Sequence, residues 1–330
     1  MKDQIITNKI LNWYDINKRS LPWRKKTSSK KKQYYTLVSE FMLQQTQVKT
    51  VIPYFTKFIK RIPTLNSLYK IKIQTLMRHW EGLGYYSRVI NLKKTAIKII
   101  KEYNGKLPSS IEELKSLPGI GEYTSKAILA IAFNKKVIPL DGNVERILKR
   151  VFYLKREGEI SKEYLNKKIN FFGISNRASD YAQAIMEIGA LVCKPKNPVC
   201  DKCPISQKCI SFKKNDFIIK KTKNKLNKTK YFEAQIYQYK DTYLLVKNNK
   251  FNFLKNMTIF PMSEVNEIKY KYSSSKKINI KLSNMDMKII LNKIEKLPNI
   301  KGKILIDPTN TKSIILPSFT KKIFNSISKI

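Results

Sequence analysis

The stretch "SLPGIGEYTSKAI", residues 116–128, joins two helix-forming segments through a turn that contains two glycines. The segment before it, "PSSIEELKSL", has Ser109 or Ser110 followed by a glutamate three residues later, which is the capping-box pattern of a helix start. The segment after it, "EYTSKAILAIAF", carries apolar residues at helical spacing. The sequence therefore predicts a helix–hairpin–helix over about residues 109–133.

The two glycines of this turn, Gly119 and Gly121, are candidates for binding a nucleic-acid phosphate. Glycine lets the backbone turn sharply and lets a ligand approach it closely. The N–H groups of the turn and the positive end of the next helix can then bind a phosphate, which holds a nucleic acid without reading its bases. An ordinary helix–helix turn with glycine as the breaker explains this segment equally well. The charge of the chain and its cysteine cluster favour phosphate binding.

The charge of the chain favours a polyanionic partner. Its 330 residues include 66 Lys and Arg against 24 Asp and Glu, a formal net charge of +42. A field of this sign attracts nucleic acid or an anionic membrane surface. The lysines are spread over the whole chain, in a Lys-, Ile- and Asn-rich composition typical of an AT-rich genome, so the charge supports nucleic acid without locating a site. No stretch reaches the roughly 18 apolar residues of a membrane span, and the N-terminus has no signal-peptide core. We expect no membrane partner, and a cytoplasmic location associated with the nucleoid of a bacterium.

The sequence predicts two domains. Residues 1–212 show helical periodicity and residues 213–230 read as a basic linker. Residues 231–330 then predict a small α+β domain, which opens with a strand hairpin that turns at Lys240–Asp241. The apolar pattern of "MDMKIILNKIEKL", residues 285–297, predicts a helix in that domain.

All four cysteines of the chain, Cys193, Cys200, Cys203 and Cys209, lie within 17 residues, spaced C-x6-C-x2-C-x5-C. A reducing compartment disfavours disulfides, so a metal site is the better interpretation. Zinc is usually held by two short cysteine knuckles, and this loop has one. The longer spacings favour a 4Fe–4S cluster held by four thiolates.

Two carboxylates could do chemistry, although each has an ordinary structural explanation. Glu40 falls at the edge of an apolar helical face, where partial desolvation would raise its pKa and suit it to general-acid work. Periodicity alone favours a solvated Glu40 just outside the buried stripe. Asp141 precedes "GNVERILKRVF" and is a favoured helix N-cap, and at a helix start it could equally face a ligand and stabilise a developing positive charge.

Taken together, several motifs over residues 5 to about 212 resemble the adenine DNA glycosylases (the MutY family) of the helix–hairpin–helix DNA glycosylase superfamily. They are "LPWR", "SEFMLQQTQV", "WEGLGYYSR", "LPGIGEYTSKAI", "PLDGNVERI" and "YAQAIMEIGALVC", with the cysteine spacing. The resemblance implies a mainly α glycosylase fold with an Fe–S loop at 193–209, followed by a degenerate Nudix-like domain. The implied substrate is double-stranded DNA with adenine opposite 8-oxoguanine or guanine, bound by a monomer.

The resemblance also implies roles for single residues. Glu40 matches the general acid that protonates adenine, and Asp141 matches the carboxylate that stabilises the oxocarbenium-like sugar, as in glycoside hydrolysis by paired carboxylates. Further matches are Gln44, Gln45 and Tyr85 as residues wedged into the duplex, Asn143 as support for Asp141, and Arg24 and Glu187 as lining of the adenine pocket.

Tyr123 and the C-terminal domain mark departures from related enzymes. Superfamily members that cut the strand carry a lysine where Tyr123 stands, and a tyrosine cannot form a Schiff base. The implied enzyme is therefore monofunctional, with Tyr123 supporting the site. The family's Phe-Ser-His loop corresponds to Ser274, Ser275 and Lys276 here, which leaves Ser275 as the expected 8-oxoguanine contact. Two alternatives remain: an endonuclease III-like glycosylase and lyase acting on oxidised pyrimidines, and a non-catalytic Fe–S DNA-binding protein.

Overall fold

The computed structural model describes residues 2–155, 160–219, 228–282, 285–296, 298, 302–310 and 314–327. The chain divides into two compact units, residues 1–71 with 87–222 and residues 72–86 with 223–330. Each unit is described by itself below. The domain boundaries expected from the sequence stay a prediction, and residues 220–227 of the expected linker lie outside the described residues.

The first unit is built from helices. Their bounds are α1 Lys2–Asn17, α2 Ser29–Leu43, α3 Val48–Arg61, α4 Leu65–Lys70, α6 Ser87–Glu102, α7 Ile111–Lys115, α8 Glu122–Phe133, α9 Gly142–Val151, α10 Lys162–Lys168, α11 Ala178–Glu187 and α12 Ile210–Lys213. A π-helical turn, Ile188–Val192, follows α11 directly. One core cluster joins the apolar faces of α1, α9 and α11, and α2 packs against α8. These contacts hold the N-terminal ends of α8 and α9 and the C-terminal ends of α2 and α11 in fixed positions.

The predicted helix–hairpin–helix is confirmed in α7 and α8. The Ser110 hydroxyl accepts a hydrogen bond from the Glu113 N–H and donates one to the Glu113 carboxylate, so the cap expected from the sequence forms. Gly119 adopts a φ of +81°, and a Cβ there would lie 2.8 Å from Asn91 Cβ and 2.9 Å from Phe41 Cε1. The turn therefore requires glycine at 119 for its backbone conformation and for its packing against α2 and α6.

The second unit contains α5, Ile73–His79, and a small sheet domain. Its other elements are β1 Lys228–Tyr239, β2 Thr242–Lys247, β3 Thr258–Ile259, β4 Met262–Val265, α13 Glu267–Tyr272, β5 Lys276–Leu282, β6 Met285–Ile294, β7 Ile304–Ile306 and α14 Ser318–Ile327. The sheet runs β3-β2-β1-β6-β5, with β4 on β1 and β7 on β2. The β1–β2 hairpin turns at Lys240–Asp241 as predicted, since Tyr239 pairs with Thr242. The core of this domain packs the apolar face of α14 on the sheet.

The helix predicted over residues 285–297 is wrong. Residues Met285–Ile294 form β6, which pairs in parallel with β1 and antiparallel with β5. A short apolar run does not distinguish a buried helix from a buried strand. Here a strand on each side satisfies the β6 backbone, and the β-branched Ile289 and Ile290 are fully buried in the resulting sheet.

The fold class predicted from the sequence is confirmed as a mainly helical domain with a helix–hairpin–helix, followed by a small sheet domain. Within the described ranges, no helix is both long and apolar enough to cross a membrane.

Candidate active site

A cavity of about 550 Å³ lies where the ends of α2, α8, α9 and α11 meet. The predicted site residues that line it are Arg24, Glu40, Tyr123, Asp141, Asn143 and Glu187. Helix ends leave backbone groups without intrahelical partners, and such groups are suited to binding polar ligands. The structure therefore brings together, from distant parts of the chain, the residues that the resemblance implies for catalysis and for the adenine pocket.

Glu40, near the C-terminal end of α2, is buried in this cavity with 5% of its surface exposed. Burial, and next the nearby Asp141 carboxylate, raise the pKa of Glu40 to about 7, against the opposing effects of Tyr123 and Arg24. A carboxyl with this pKa still carries a proton near neutral pH and can donate it. The solvated Glu40 favoured by helix periodicity alone is wrong, because α8 and the start of α9 cover that edge of α2.

Asp141 is the N-cap of α9, as its sequence context predicted. Its Oδ1 accepts hydrogen bonds from the N–H groups of Asn143 at 2.9 Å and Val144 at 2.7 Å, and its Oδ2 accepts one from Asn143 Nδ2 at 2.9 Å. Burial raises the pKa of Asp141, while these hydrogen bonds and the Arg146 guanidinium act in the opposite direction. The carboxylate is thus fixed in orientation by bonds that favour its charged form.

Tyr123, at the start of α8, lies between the two carboxylates. Its hydroxyl donates to Met186 Sδ at 3.7 Å, and it is close enough to Glu40 for each group to affect the pKa of the other. Burial and the two carboxylates raise the pKa of Tyr123 well above its usual value, so the phenol is neutral and can donate to Glu40. Lys126, one turn further along α8, forms a 2.8 Å ion pair with Glu122 and lines a different cavity.

Glu187, the last residue of α11, binds two arginines at the back of the cavity. Its side chain is 1% exposed, and its oxygens lie 2.7 Å from Arg19 Nε and 2.8 Å from Arg24 Nη1. Arg24 Nε is buried and has no hydrogen-bond partner. A buried donor of this kind is normally satisfied, so its lack of a partner is unusual. The sequence reasoning missed Arg19, whose only signal was a second arginine five residues before Arg24.

Two arginines of α9 connect the site to the cysteine loop, and the sequence reasoning missed both. Arg146 donates to Asn143 Oδ1 at 2.8 Å and to the Cys193 carbonyl at 2.7 Å. Arg150 lies 3.4 Å from Cys193 Sγ and donates to the carbonyls of Lys194 and Pro195. The sequence signal for this pair was their spacing in "DGNVERILKR", which places them one helical turn apart on the same face of α9.

The segment after α2 holds Gln44 and Gln45 at the surface. Gln44 Nε2 donates to the Gly119 carbonyl at 3.2 Å, so it contacts the hairpin. Gln45 is exposed with a φ of +57°. The buried Arg88 donates to the carbonyls of Met42 and Gln44 at 2.7 and 2.6 Å and fixes this turn, a role that the sequence reasoning missed.

In the second unit Tyr85 is 45% exposed with a φ of +47°. Such left-handed conformations are rare for residues other than glycine and concentrate at functional sites.

The four cysteines line one small cavity beside Arg150. None forms a disulfide, and each is partly buried. Burial, together with the neighbouring thiols, raises the pKa of Cys203 to about 12. Four clustered thiols are the donor set that a cationic centre would deprotonate and bind.

Ser275 lies just before β5 in the second unit and is half-buried. Its N–H donates to Ser273 Oγ at 3.2 Å, and the Nζ of the next residue, Lys276, donates to the Ser326 carbonyl. The role expected for Ser275 stays a prediction.

Comparison with known proteins defines the class of this protein. Residues 38–173 match the HhH-GPD superfamily of base excision DNA repair proteins. The fold is similar to the solved structure of a thermostable thymine-DNA glycosylase, with a TM-score of 0.56 and 25% identity over 64% of this chain and 97% of that one. The helix–hairpin–helix, the two carboxylates that share one cavity and these matches define a DNA glycosylase of base excision repair.

Two curated relatives identify the family. An adenine DNA glycosylase of Buchnera aphidicola (subspecies Baizongia pistaciae) is 38% identical over 97% of this chain and 96% of its own length. The human adenine DNA glycosylase is 39% identical over 61% of this chain and 38% of its own length. The chain belongs to the adenine DNA glycosylase family, as the sequence motifs predicted.

Proposed function

We propose that this protein excises adenine mispaired with 8-oxoguanine or guanine from double-stranded DNA, by hydrolysing the N-glycosidic bond and leaving the strand uncut. The observation that supports it most is Glu40, a buried carboxyl with a pKa raised to about 7, which shares a cavity with Asp141. Two carboxyl groups with different surroundings can divide the acid role and the charge-stabilising role. We infer the substrate from the family to which the chain belongs.

The proposed reaction uses Glu40 as the acid. Protonated Glu40 donates its proton to a ring nitrogen of adenine, and the electron pair of the breaking glycosidic bond leaves with the base. The sugar carbon gains positive charge, which the Asp141 carboxylate stabilises across the cavity. Water then supplies the hydroxyl on the sugar, and its proton returns to Glu40. Atoms and charge balance without any further reactant.

We propose that Glu187, Arg19 and Arg24 recognise the adenine. Two guanidinium groups hold the buried Glu187 carboxylate in place, so it can accept a hydrogen bond from an exocyclic amine. The unpartnered Nε of Arg24 can donate to a ring nitrogen. Adenine offers both kinds of group and thymine has no exocyclic amine, so this set of donors and acceptors favours adenine over thymine.

The target adenine must leave the base stack to reach a buried cavity, and we assign the duplex contacts accordingly. Gln44 and Gln45 would occupy the space around the unpaired partner base, which the exposure and left-handed backbone of Gln45 support, and Tyr85, exposed and also left-handed, is the proposed duplex contact of its own unit. The open backbone at Gly121, with nothing within 4 Å of where a Cβ would stand, is available to a phosphate. Ser275 is the proposed contact of the second unit with 8-oxoguanine.

The cysteine loop is proposed to hold one 4Fe–4S cluster through Cys193, Cys200, Cys203 and Cys209. All four line one cavity. Their spacing, with one short knuckle and longer loops on either side, suits a larger centre than zinc. When bound, the cluster would tie the two ends of the loop together. Four irons for each protein are expected in the purified enzyme, and one zinc for each protein would contradict the assignment.

The assay that tests the function uses a duplex with adenine opposite 8-oxoguanine or opposite guanine, followed with and without alkali. Adenine release with strand breaks after alkali alone supports the proposal. Strand breaks without alkali favour a lyase of the endonuclease III kind and would contradict the role of Tyr123. Binding without adenine release would contradict the enzymatic roles of Glu40 and Asp141.

A further inference from the structure

Gly189, in the π-helical turn after α11, lies against the residue that orients Asp141. Gly189 is buried, and a Cβ built on it would lie 2.5 Å from Asn143 Cβ and 3.2 Å from Asn143 Cα. Real Cβ atoms essentially never approach other atoms to under 3.0 Å. One of the two contacts is with backbone, so Asn143 could not turn its side chain away and stay in place.

The same glycine also bonds to the network around Asn143. The Gly189 carbonyl accepts a hydrogen bond from Arg146 Nη2 at 2.8 Å, and the same nitrogen donates to Asn143 Oδ1 at 2.8 Å. Asn143 in turn donates its Nδ2 to Asp141 Oδ2 at 2.9 Å. Arg146 thus fixes the amide orientation, which leaves the Nδ2 side of Asn143 facing the carboxylate.

We propose that Gly189 is a positioning residue for the reaction. Because glycine has no side chain, the π-helical turn can pack directly against Asn143 and hold the Asn143 amide where it orients the Asp141 carboxylate. The proposal rests on the proposed role of Asp141. The π-helical geometry fits this function, since single π-helical turns inside helices often occur at functional sites. The backbone conformation at position 189 does not itself require glycine, because Gly189 does not have a left-handed φ.

Single-turnover adenine release by Gly189→Ala tests the proposal, with Gly142→Ala as the matched control. Gly142 begins α9 beside Asn143, and nothing lies within 4 Å of where its Cβ would stand. We expect Gly189→Ala to lower the rate of the chemical step roughly 10- to 100-fold, a typical cost of misplacing a group by about 1 Å, with little change in DNA affinity. Gly142→Ala should leave the rate near that of the natural protein. Equal rates for Gly189→Ala and the natural protein would overturn the proposal.

A double-mutant cycle with Asn143→Gly separates positioning from general damage to the fold. Asn143→Gly removes the atom that a Cβ at 189 would strike, so Gly189→Ala should cost little further rate in that background. Equal losses in both backgrounds would contradict action through Asn143. If Gly189→Ala alone does not fold, the same argument predicts that Asn143→Gly restores soluble protein, and failure to do so counts against the proposal.

The pH profile gives a readout that a merely structural role would not move. Asp141 faces Glu40 on α2, Tyr123 on α8 and Arg146 on α9, and of these groups only Arg146 favours its charged form. Losing the Asn143 bond should shift the acid limb of the rate profile to higher pH in Gly189→Ala, and an unshifted limb would count against the proposal. A crystal structure of Gly189→Ala tests the positioning role even if the natural protein releases no adenine. If the Asn143 amide is still 2.9 Å from Asp141 in that structure, the positioning role of Gly189 is overturned and the proposed function is not affected.

Discussion

Glu40 is a residue whose surroundings oppose its charge. Its side chain is nearly inaccessible, and the Asp141 carboxylate faces it inside the same cavity. The folded protein therefore binds a proton at Glu40 that the unfolded chain has lost at the same pH. Catalytic function at such a position is expected to cost stability.

Glu40→Gln should therefore stabilise the protein in a pH-dependent way. The pKa of Glu40 rises from 4.5 to about 7 on folding, so the free energy of unfolding of the natural protein falls as pH rises through that window. Above pH 7 the glutamine variant should gain about 3 to 4 kcal/mol relative to its difference below pH 4.5. Denaturant unfolding on both sides of the window measures this. Glu112→Gln on the exposed face of α7 removes the same charge from a solvated site and serves as the control, and a pH-independent gain at position 40 would contradict the account.

What the sequence could predict at single residues depended on how local the interaction is. The role of Asp141 as an N-cap uses atoms two and three residues away, so its context in "LDGNV" sufficed. The burial of Glu40 depends on α8 and α9, some 80 to 100 residues further along, which periodicity within α2 cannot show. Arg19 was missed for the same reason, because its partner Glu187 lies 168 residues away.

At the level of elements, the hairpin contains two glycines that serve different purposes. Gly119 has a left-handed backbone and tight packing on α2 and α6, whereas Gly121 has extended backbone and open space. The two positions therefore separate the stability of the hairpin from its proposed contact with DNA. The sequence predicted the hairpin because its cap and glycines are local signals, but it could not distinguish the two glycines.

Gly119→Ala should destabilise the protein, and Gly121→Ala should weaken DNA binding with the fold unchanged. We expect Gly119→Ala to cost about 2 to 4 kcal/mol, from left-handed strain and overpacking. Gly121→Ala should change stability by less than about 1 kcal/mol. Its methyl group would obstruct a phosphate at the turn, so its dissociation constant for duplex DNA should rise several-fold. Thermal unfolding and DNA titration measure the two effects, and unchanged affinity in Gly121→Ala would count against phosphate binding at the hairpin.

Whether a segment forms a helix or a strand was harder to predict in the second unit, because the apolar pattern of β6 by itself also fits a helix. Its backbone pairs on one side with β1, which is distant in the sequence, and on the other side with β5. The β1–β2 hairpin, by contrast, was predictable because its pairing crosses a two-residue turn.

For the whole molecule, the net charge of +42 should dominate the affinity for DNA. Lysines that neutralise phosphates release counterions, so the logarithm of the binding constant should fall linearly with the logarithm of salt concentration, with a slope of about −0.9 for each phosphate contacted. Titration of a fully paired duplex and a mispaired duplex should give similar slopes and different intercepts, because contacts with the bases neutralise no phosphate. An affinity that does not change with salt would contradict the electrostatic account.

The central claim is that a protonated Glu40 drives adenine release, and the pH dependence of single-turnover adenine release tests it most directly. With a mispaired duplex in the presence of excess enzyme, the rate should fall as pH rises through about 7, where Glu40 loses its proton. Glu40→Gln should bind the same duplex and release no adenine. A rate that stays constant through that pH range, or turnover retained by Glu40→Gln, would contradict the assignment of Glu40 as the acid.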